Sequence, residues 1–353
     1  MNLELFASLF ATLAAPTLAL VGPGGTSSPL AHTYSIVARD PKTGEMGVAV
    51  QSHYFSVGPI VPWAEAGVGA VATQSLVLVD YGPKGLALMK KGFTAKQALD
   101  QLLKADSTHD GRQVAMVDSK GNVAAYTGKS CIPDAGDVQG VQFSCQANLM
   151  ANATIWPAMK AAFEKAQGDL SERLMQALEA ADKAGGDIRG RQSAAMVVVK
   201  GERGANPWDN VVVNLRVEDN DHPLVELRRL LRLRRAYNLE DQGDAYTTAK
   251  KNAEAAQAYA AAMKLAPDVV ELQFWAASTM YQNGKKPEAL GALQAGVREG
   301  GALGAADRAA GEGRAVPQRS ESHRGGAGAG HEGRAVVSRS AVSSAAHPSH
   351  LRT

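Results

Sequence analysis

The residues best suited to chemistry lie in one short hairpin, Thr33-Tyr-Ser-Ile-Val-Ala-Arg-Asp-Pro-Lys-Thr-Gly-Glu-Met-Gly-Val-Ala-Val-Gln-Ser-His53. What precedes it gives it weight. Leu5 to Val21 is apolar and uncharged, and the stretch from there to Ala31 is small and loop-like. Removing that leader near Ala31 would put Thr33 at or beside a new N-terminus. A threonine there carries a hydroxyl nucleophile and, in its own α-amine, a base. Such an amine titrates near ~7.7–8.0, so a useful fraction is neutral at physiological pH. The chemistry this allows is acyl transfer from an amide to the Thr33 hydroxyl.

The hairpin names the neighbours. Asp40-Pro-Lys-Thr-Gly44 is turn chemistry. A turn centred near Lys42–Thr43 makes paired residue numbers sum to about 85, which sets Thr33 opposite Ser52. Ser52 and His53 at that strand end, Thr73 and Gln74 at the end of a later strand, and Asn148 after another are the candidates to support the nucleophile or an oxyanion. Each has a plainer reading as a strand-end residue or as the partner of a buried backbone group. Arg112 and Arg191 each precede a glutamine. They fit either an anchor for a substrate carboxylate or a structural ion pair. Zinc spacings, a P-loop, a dinucleotide fingerprint and a Gly-x-Ser-x-Gly elbow are all missing, so neither a metal nor a cofactor is expected.

The leader reads as a cleaved export signal, with a retained anchor or a misassigned start as the alternatives. Ala31 suits signal peptidase at the first position and Pro29 suits it poorly at the third, and cleavage after Ala31 would leave His32 ahead of Thr33. Cys131 and Cys145 either pair, as export favours, or stay as two buried thiols. A net charge of +2 with 20% charged residues gives no sign of a nucleic-acid partner.

The elements that must position these residues follow from periodicity. Strands are expected over Thr33–Arg39, Met46–His53, Gly67–Ser75, Gln113–Asp118, Val123–Thr127, Val141–Gln146, Ser193–Lys200 and Asn210–Val217. Helices are expected over Gly85–Lys91, Thr94–Lys104, Thr154–Ala166 and Leu170–Ala184, with Thr94 as an N-cap. This order predicts an α+β domain of two helical layers around antiparallel sheet, covering 32–220 behind a leader of 1–31.

A linking helix is expected over 221–243, with five arginines between 228 and 235 that suit either an acidic surface or a solvated bridge between domains. Residues 244–299 resemble tetratricopeptide-type helices through Ala-Tyr-Ala and Lys-Leu-Ala-Pro, then Gly-Lys-Lys-Pro-Glu-Ala-Leu. Periodicity is lost in 300–353, which reads as disordered or frameshifted. The expected partners are a small amide or peptide substrate, a protein on the helical extension, or a second copy of the chain in a homo-oligomer.

Several of these motifs together resemble a bacterial family, domain of unknown function 1028. They are the Thr33 strand, Gly47-Val-Ala-Val-Gln-Ser, Pro62-Trp-Ala-Glu-Ala-Gly-Val-Gly-Ala-Val-Ala-Thr-Gln74, Tyr81-Gly-Pro-Lys-Gly-Leu86, Arg112-Gln-Val, Thr127-Gly with Cys131, Ser144-Cys-Gln-Ala-Asn148 and Gly190-Arg-Gln-Ser-Ala194. The chain departs from the pattern at Asp137, where histidine is expected, and at Ala147, where glycine is common. The resemblance implies a four-layer αββα sandwich like that of the N-terminal-nucleophile hydrolases. In those enzymes the first residue of the first strand is the nucleophile, and Thr33 aligns with it. The resemblance implies that fold more firmly than a reaction; the chemistry of Thr33 and the leader add the expectation of amide or peptide hydrolysis by an exported protein. The alternative is an inactive binding or assembly module on the same fold.

Overall fold

Asp40 builds the first turn with its own side chain. Its Oδ1 accepts from the N–H of Lys42 at 2.7 Å and of Thr43 at 3.2 Å, and Gly44 closes the turn at φ +74°. The two arms pair antiparallel with Thr33 opposite Ser52, as the turn position requires. The computed structural model describes residues 30–31, 33–282 and scattered positions from 284 to 291. The tail expected from 300, and most of the leader, lie outside the described residues.

In chain order the elements are β1 (Leu30–Ala31), β2 (Thr33–Arg39), β3 (Met46–Ser52), β4 (Pro62–Glu65), β5 (Gly69–Leu76), α1 (Tyr81–Lys90), α2 (Ala95–Ala105), β6 (Arg112–Asp118), β7 (Val123–Thr127), β8 (Gly136–Gly140) and β9 (Phe143–Ala147). They continue with α3 (Ile155–Lys165), α4 (Leu170–Lys183), β10 (Ser193–Val199), β11 (Val211–Val217), α5 (Pro223–Thr248), α6 (Asn252–Leu265) and α7 (Val270–Gln282). The strands form two antiparallel sheets. One runs β1-β5-β6-β7, with β4 also paired to β5, and the other runs β11-β10-β3-β2-β9-β8.

Alternation along the strands sorts their side chains between two faces. Val37, Val48, Val50, Ala70, Ala72, Ala115, Val117 and Ala195 pack the two sheets against each other. Val71, Val114 and Met116 turn the other way and meet Leu86, Met89 and Leu99 of α1 and α2. On the second sheet, Ile36, Ala49, Cys145 and Met196 meet Met159 and Phe163 of α3 and Leu174 and Leu178 of α4. β5 is buried on both faces, and its small residues are sterically required: a Cβ on Gly69 would sit 2.6 Å from the carbonyl oxygen of Val117.

The local signals for the helices hold where capping is explicit. Thr94 and Gln97 form a reciprocal capping box at the start of α2. Helix α1 begins at Tyr81, four residues before the expected start, because Pro83 is tolerated in a first turn. Strands β4 and β8 were not expected. Both are short, and β8 begins and ends in glycine, which weakens any periodic signal.

Of the two readings of Cys131 and Cys145, the structure has the two buried thiols: both cysteines are free and buried. Cys145 lies under α3, whereas the Cys131 thiol donates to the carbonyl of Arg112, on the other sheet. Burial pushes both thiols above their ordinary range.

Helix α5 runs past the expected boundary at 243. Leu224, Leu227 and Leu231 join the core under α4, while Ala236 packs with Ala266 and Leu272 of the helical extension. Four of its five arginines are ion-paired: Arg228 with Glu172 and Glu179, Arg229 with Glu226, Arg232 with Asp268, and Arg235 with Asp169 and Glu172. That is the bridging-helix reading of the basic stretch. Among the described residues no helix is long and apolar enough to cross a membrane.

Candidate functional site

Thr33 is fully buried at the first position of β2. Its hydroxyl donates to Ser52 Oγ at 3.2 Å, and its N–H donates to the Asn148 carbonyl at 3.3 Å. Its own carbonyl accepts from the Asn148 N–H at 3.1 Å, from Gln74 Nε2 at 3.2 Å and from Asn148 Nδ2 at 3.5 Å. Ser52, Gln74 and Asn148 are thus brought together on Thr33 from three different strands or their ends. All three are neutral, so none of them is a general base at neutral pH.

Beyond this shell the apolar packing between the sheets gives way to a buried polar network. Gln146 Nε2 donates to Ser35 Oγ, and Ser35 Oγ donates to Gln74 Oε1, both at 2.6 Å. Gln74 Nε2 donates to Gln113 Oε1 at 2.7 Å, and Asn148 Nδ2 donates to the same oxygen at 2.9 Å. Gln113 Nε2 in turn donates to the Ala147 carbonyl at 2.8 Å and to Thr127 Oγ1 at 2.9 Å. Thr127 Oγ1 donates to Asp137 at 2.6 Å. Gln113, Ser35 and Gln146 escape the sequence reading. Their signal is phase: Ser35 and Gln113 stand in register with the inter-sheet apolar residues Val37, Ala115 and Val117, and Gln146 alternates with the helix-facing Cys145 and Ala147, so each polar side chain has to be satisfied by the facing sheet.

The network also assigns Gln74 and Asn148 a different task from oxyanion binding. Both N–H groups of each amide already have acceptors. They hold Thr33 in place. Two residues just beyond them, Ser75 and Leu149, have left-handed backbones at φ +71° and +56°. Such strain in residues with a Cβ persists only where the surroundings over-determine it.

The other expected site residues lie elsewhere. Thr73 follows Val71 onto the helix-facing side of β5, and its hydroxyl donates to the Leu78 carbonyl at 3.1 Å. Arg112 is on that same side, with Nε 2.8 Å from Asp106 and Nη2 2.7 Å from Thr108 Oγ1. It pins the end of α2 to β6. Burial pushes the Asp106 carboxyl up, but the hydrogen bonds from Arg112 and Thr108 outweigh it and hold the pKa at about 2. His53 has its N–H on Asp187 Oδ2 at 3.1 Å and its Nδ1 3.4 Å from the Arg191 carbonyl. Arg191 is half-exposed and paired with Asp182 of α4. Neither bonds to Thr33. Among the described residues no group of three or more His, Cys, Asp and Glu side chains is arranged to hold a metal ion.

The pattern of the DUF1028 family, described as a family of unknown function, matches residues 33–227. The chain belongs to that family. The match begins at Thr33. Among solved structures, the DUF1028 protein SPO2555 from Silicibacter pomeroyi is 30% identical with a TM-score of 0.52, over 57% of this chain and 84% of that one. Anbu (ancestral beta-subunit) from Yersinia bercovieri is 10% identical with a TM-score of 0.30, over 56% of this chain and 92% of that one. No protein of curated function matches the chain.

Proposed function

We propose that this DUF1028 chain is an exported amide or peptide hydrolase of the N-terminal-nucleophile kind, with Thr33 as its nucleophile. On this reading the layers α1 and α2, two sheets, then α3 and α4 are an αββα sandwich, and α6 and α7 are a tetratricopeptide-like extension. The observation that carries the proposal is the neutral shell of Thr33. Its hydroxyl bonds to Ser52, and Gln74 and Asn148 hold its carbonyl, yet neither these side chains nor Ser52 is a base. A free α-amine on Thr33 would supply the missing proton acceptor.

In the reaction, Thr33 Oγ attacks the amide carbonyl carbon while its α-amine takes the hydroxyl proton. The C–N bond of the substrate breaks, and the departing amine takes that proton. Water then hydrolyses the Thr33 ester, which releases the acid and restores the hydroxyl. Before any of this the His32–Thr33 bond must be cut, by aminopeptidase trimming or by attack of Thr33 Oγ on the His32 carbonyl. The second reading, an inactive binding or assembly module, is favoured by one feature: in the uncut chain Thr33 is fully buried and its N–H is already hydrogen-bonded.

The test is the mature N-terminus together with an amide-reactive electrophile. A first residue of Thr33, and an adduct on Thr33 that disappears in Thr33→Ala, is the expected result. A mature chain that begins at His32 or earlier and takes up no electrophile establishes the binding module instead.

A further inference from the structure

The residues just before Thr33 belong to the other sheet. Leu30–Ala31 pair antiparallel with β5, Leu30 opposite Leu76 and Ala31 opposite Ser75, whereas Thr33 starts β2 opposite Ser52. Ala31 and Thr33 are therefore paired in different sheets. Strand β4 covers the same edge of β5 only from Gly69 to Ala72, and the Val61 carbonyl takes the N–H of Thr73. The next stretch of edge, Ser75–Leu76, is filled by β1.

That stretch is held rigidly. Ser75 is left-handed at φ +71° and buried. The Leu76 carbonyl accepts from Arg112 Nη1 at 2.5 Å, and Arg112 is itself fixed by Asp106. A Cβ at Gly111 would sit 2.6 Å from Leu76 Cδ1, so the Leu76 side chain is seated against a glycine. A preorganised strand edge that ends beside a buried hydroxyl suits the backbone of an extended peptide.

We propose that the Ser75–Leu76 edge is the rail on which the site holds the acyl side of an extended peptide by strand addition, and that Leu30–Ala31 occupies this rail in the uncut chain. The substrate class follows from the register. The residue whose carbonyl meets Thr33 takes the place of residue 32, and the two residues before it pair with Ser75 and Leu76. The site then reads the backbone of a linear peptide, which a small primary amide lacks. The catalytic meaning of the rail rests on Thr33 as the nucleophile; the binding itself does not need the hydroxyl.

The experiment separates the two by working on full-length chains that carry Thr33→Ala, in which no acyl transfer occurs. The probe is a fluorescent peptide of the sequence Ser28-Pro-Leu-Ala-His32, capped as an amide, followed by anisotropy. A second chain adds Leu30→Pro and Ala31→Pro, which with Pro29 make an unpaired extended segment and vacate the rail. The probe is expected to saturate the proline chain and to bind the Thr33→Ala chain about tenfold more weakly or worse, because the tethered leader competes at high effective concentration. A probe N-methylated at its alanine and leucine is expected to lose binding by a similar factor. Equal affinity for the two chains, no binding to the opened one, or indifference to N-methylation overturns the rail. Should the proline chain fail to fold, saturating probe must accelerate protease cleavage of the leader in the Thr33→Ala chain, and an unchanged rate overturns the proposal. An electrophile adduct on Thr33 alongside a failed rail would leave the nucleophile standing and send the substrate in by another route.

Discussion

At the scale of the residue, the buried hub is Gln113, whose amide joins Gln74, Asn148 and Thr127. Gln113→Leu keeps the bulk and strips the acceptor from two buried amide donors. Each orphaned polar group costs roughly 1–3 kcal/mol, so a loss of about 2–4 kcal/mol is expected in urea unfolding. A loss below ~0.5 kcal/mol would mean that the network is not closed through this side chain. Gln74 and Asn148 were legible in the sequence as polar residues at apolar strand ends, and Ser52 followed from the turn. Gln113, Ser35 and Gln146 were not, because a single strand shows the phase of a polar residue and not which strand of the facing sheet will answer it. Thr73 failed for the same reason. It stands next to Gln74 in the chain, and the pleat sends it to the opposite face.

Among the elements, the C-terminal end of α2 is tied to β6 by an ion pair, Arg112 with Asp106, both almost wholly buried. Arg112 read as a substrate anchor or as a structural pair, and in the structure it is paired with Asp106. Asp106 has a folded pKa of about 2, against ~3.9 in an unfolded chain. The unfolded chain takes the proton first as the pH drops. The contribution of Asp106 is therefore complete above its unfolded pKa and is lost as the pH falls through that value toward 2. The stability difference between the wild-type chain and Asp106→Asn should be widest at neutral pH and should shrink steadily below about pH 4. Denaturant midpoints measured across that range check it, and a difference that does not change with pH would place the stabilisation in packing. The hairpin, the central strands and the capped helices were legible because each carries its own signal in turn chemistry, alternation or a capping box. Strands β4 and β8 were not. Four residues starting at proline, or five framed by glycine, acquire strand character only from the neighbour they pair with.

Over the whole molecule, one helix is shared by two cores, and this is where the sequence boundary at 243 misleads. Helix α5 buries Leu227 and Leu231 with the sheet and Ala236 with the extension, in one unbroken run from Pro223 to Thr248. Its composition shifts along its length because its partners change, while the helix itself does not end. The arginines make the attachment polar as well as apolar: Arg228 and Arg235 both reach Glu172 of α4, and each takes a second acid, Glu179 or Asp169. These groups are partly solvated, so the pairs are worth little singly and something as a network. The double variant Arg228→Ala/Arg235→Ala is expected to lose about 1 kcal/mol at low salt, a fall of about 2–4 °C in Tm for a domain of this size. At 1 M salt the screening length shrinks to about 3 Å and most of that difference should vanish. Thermal melts of both chains at the two salt concentrations decide the matter. An equal loss in each would assign the stabilisation to the arginine stems packed along α4, and the polar attachment of α5 to α4 would then have to be abandoned.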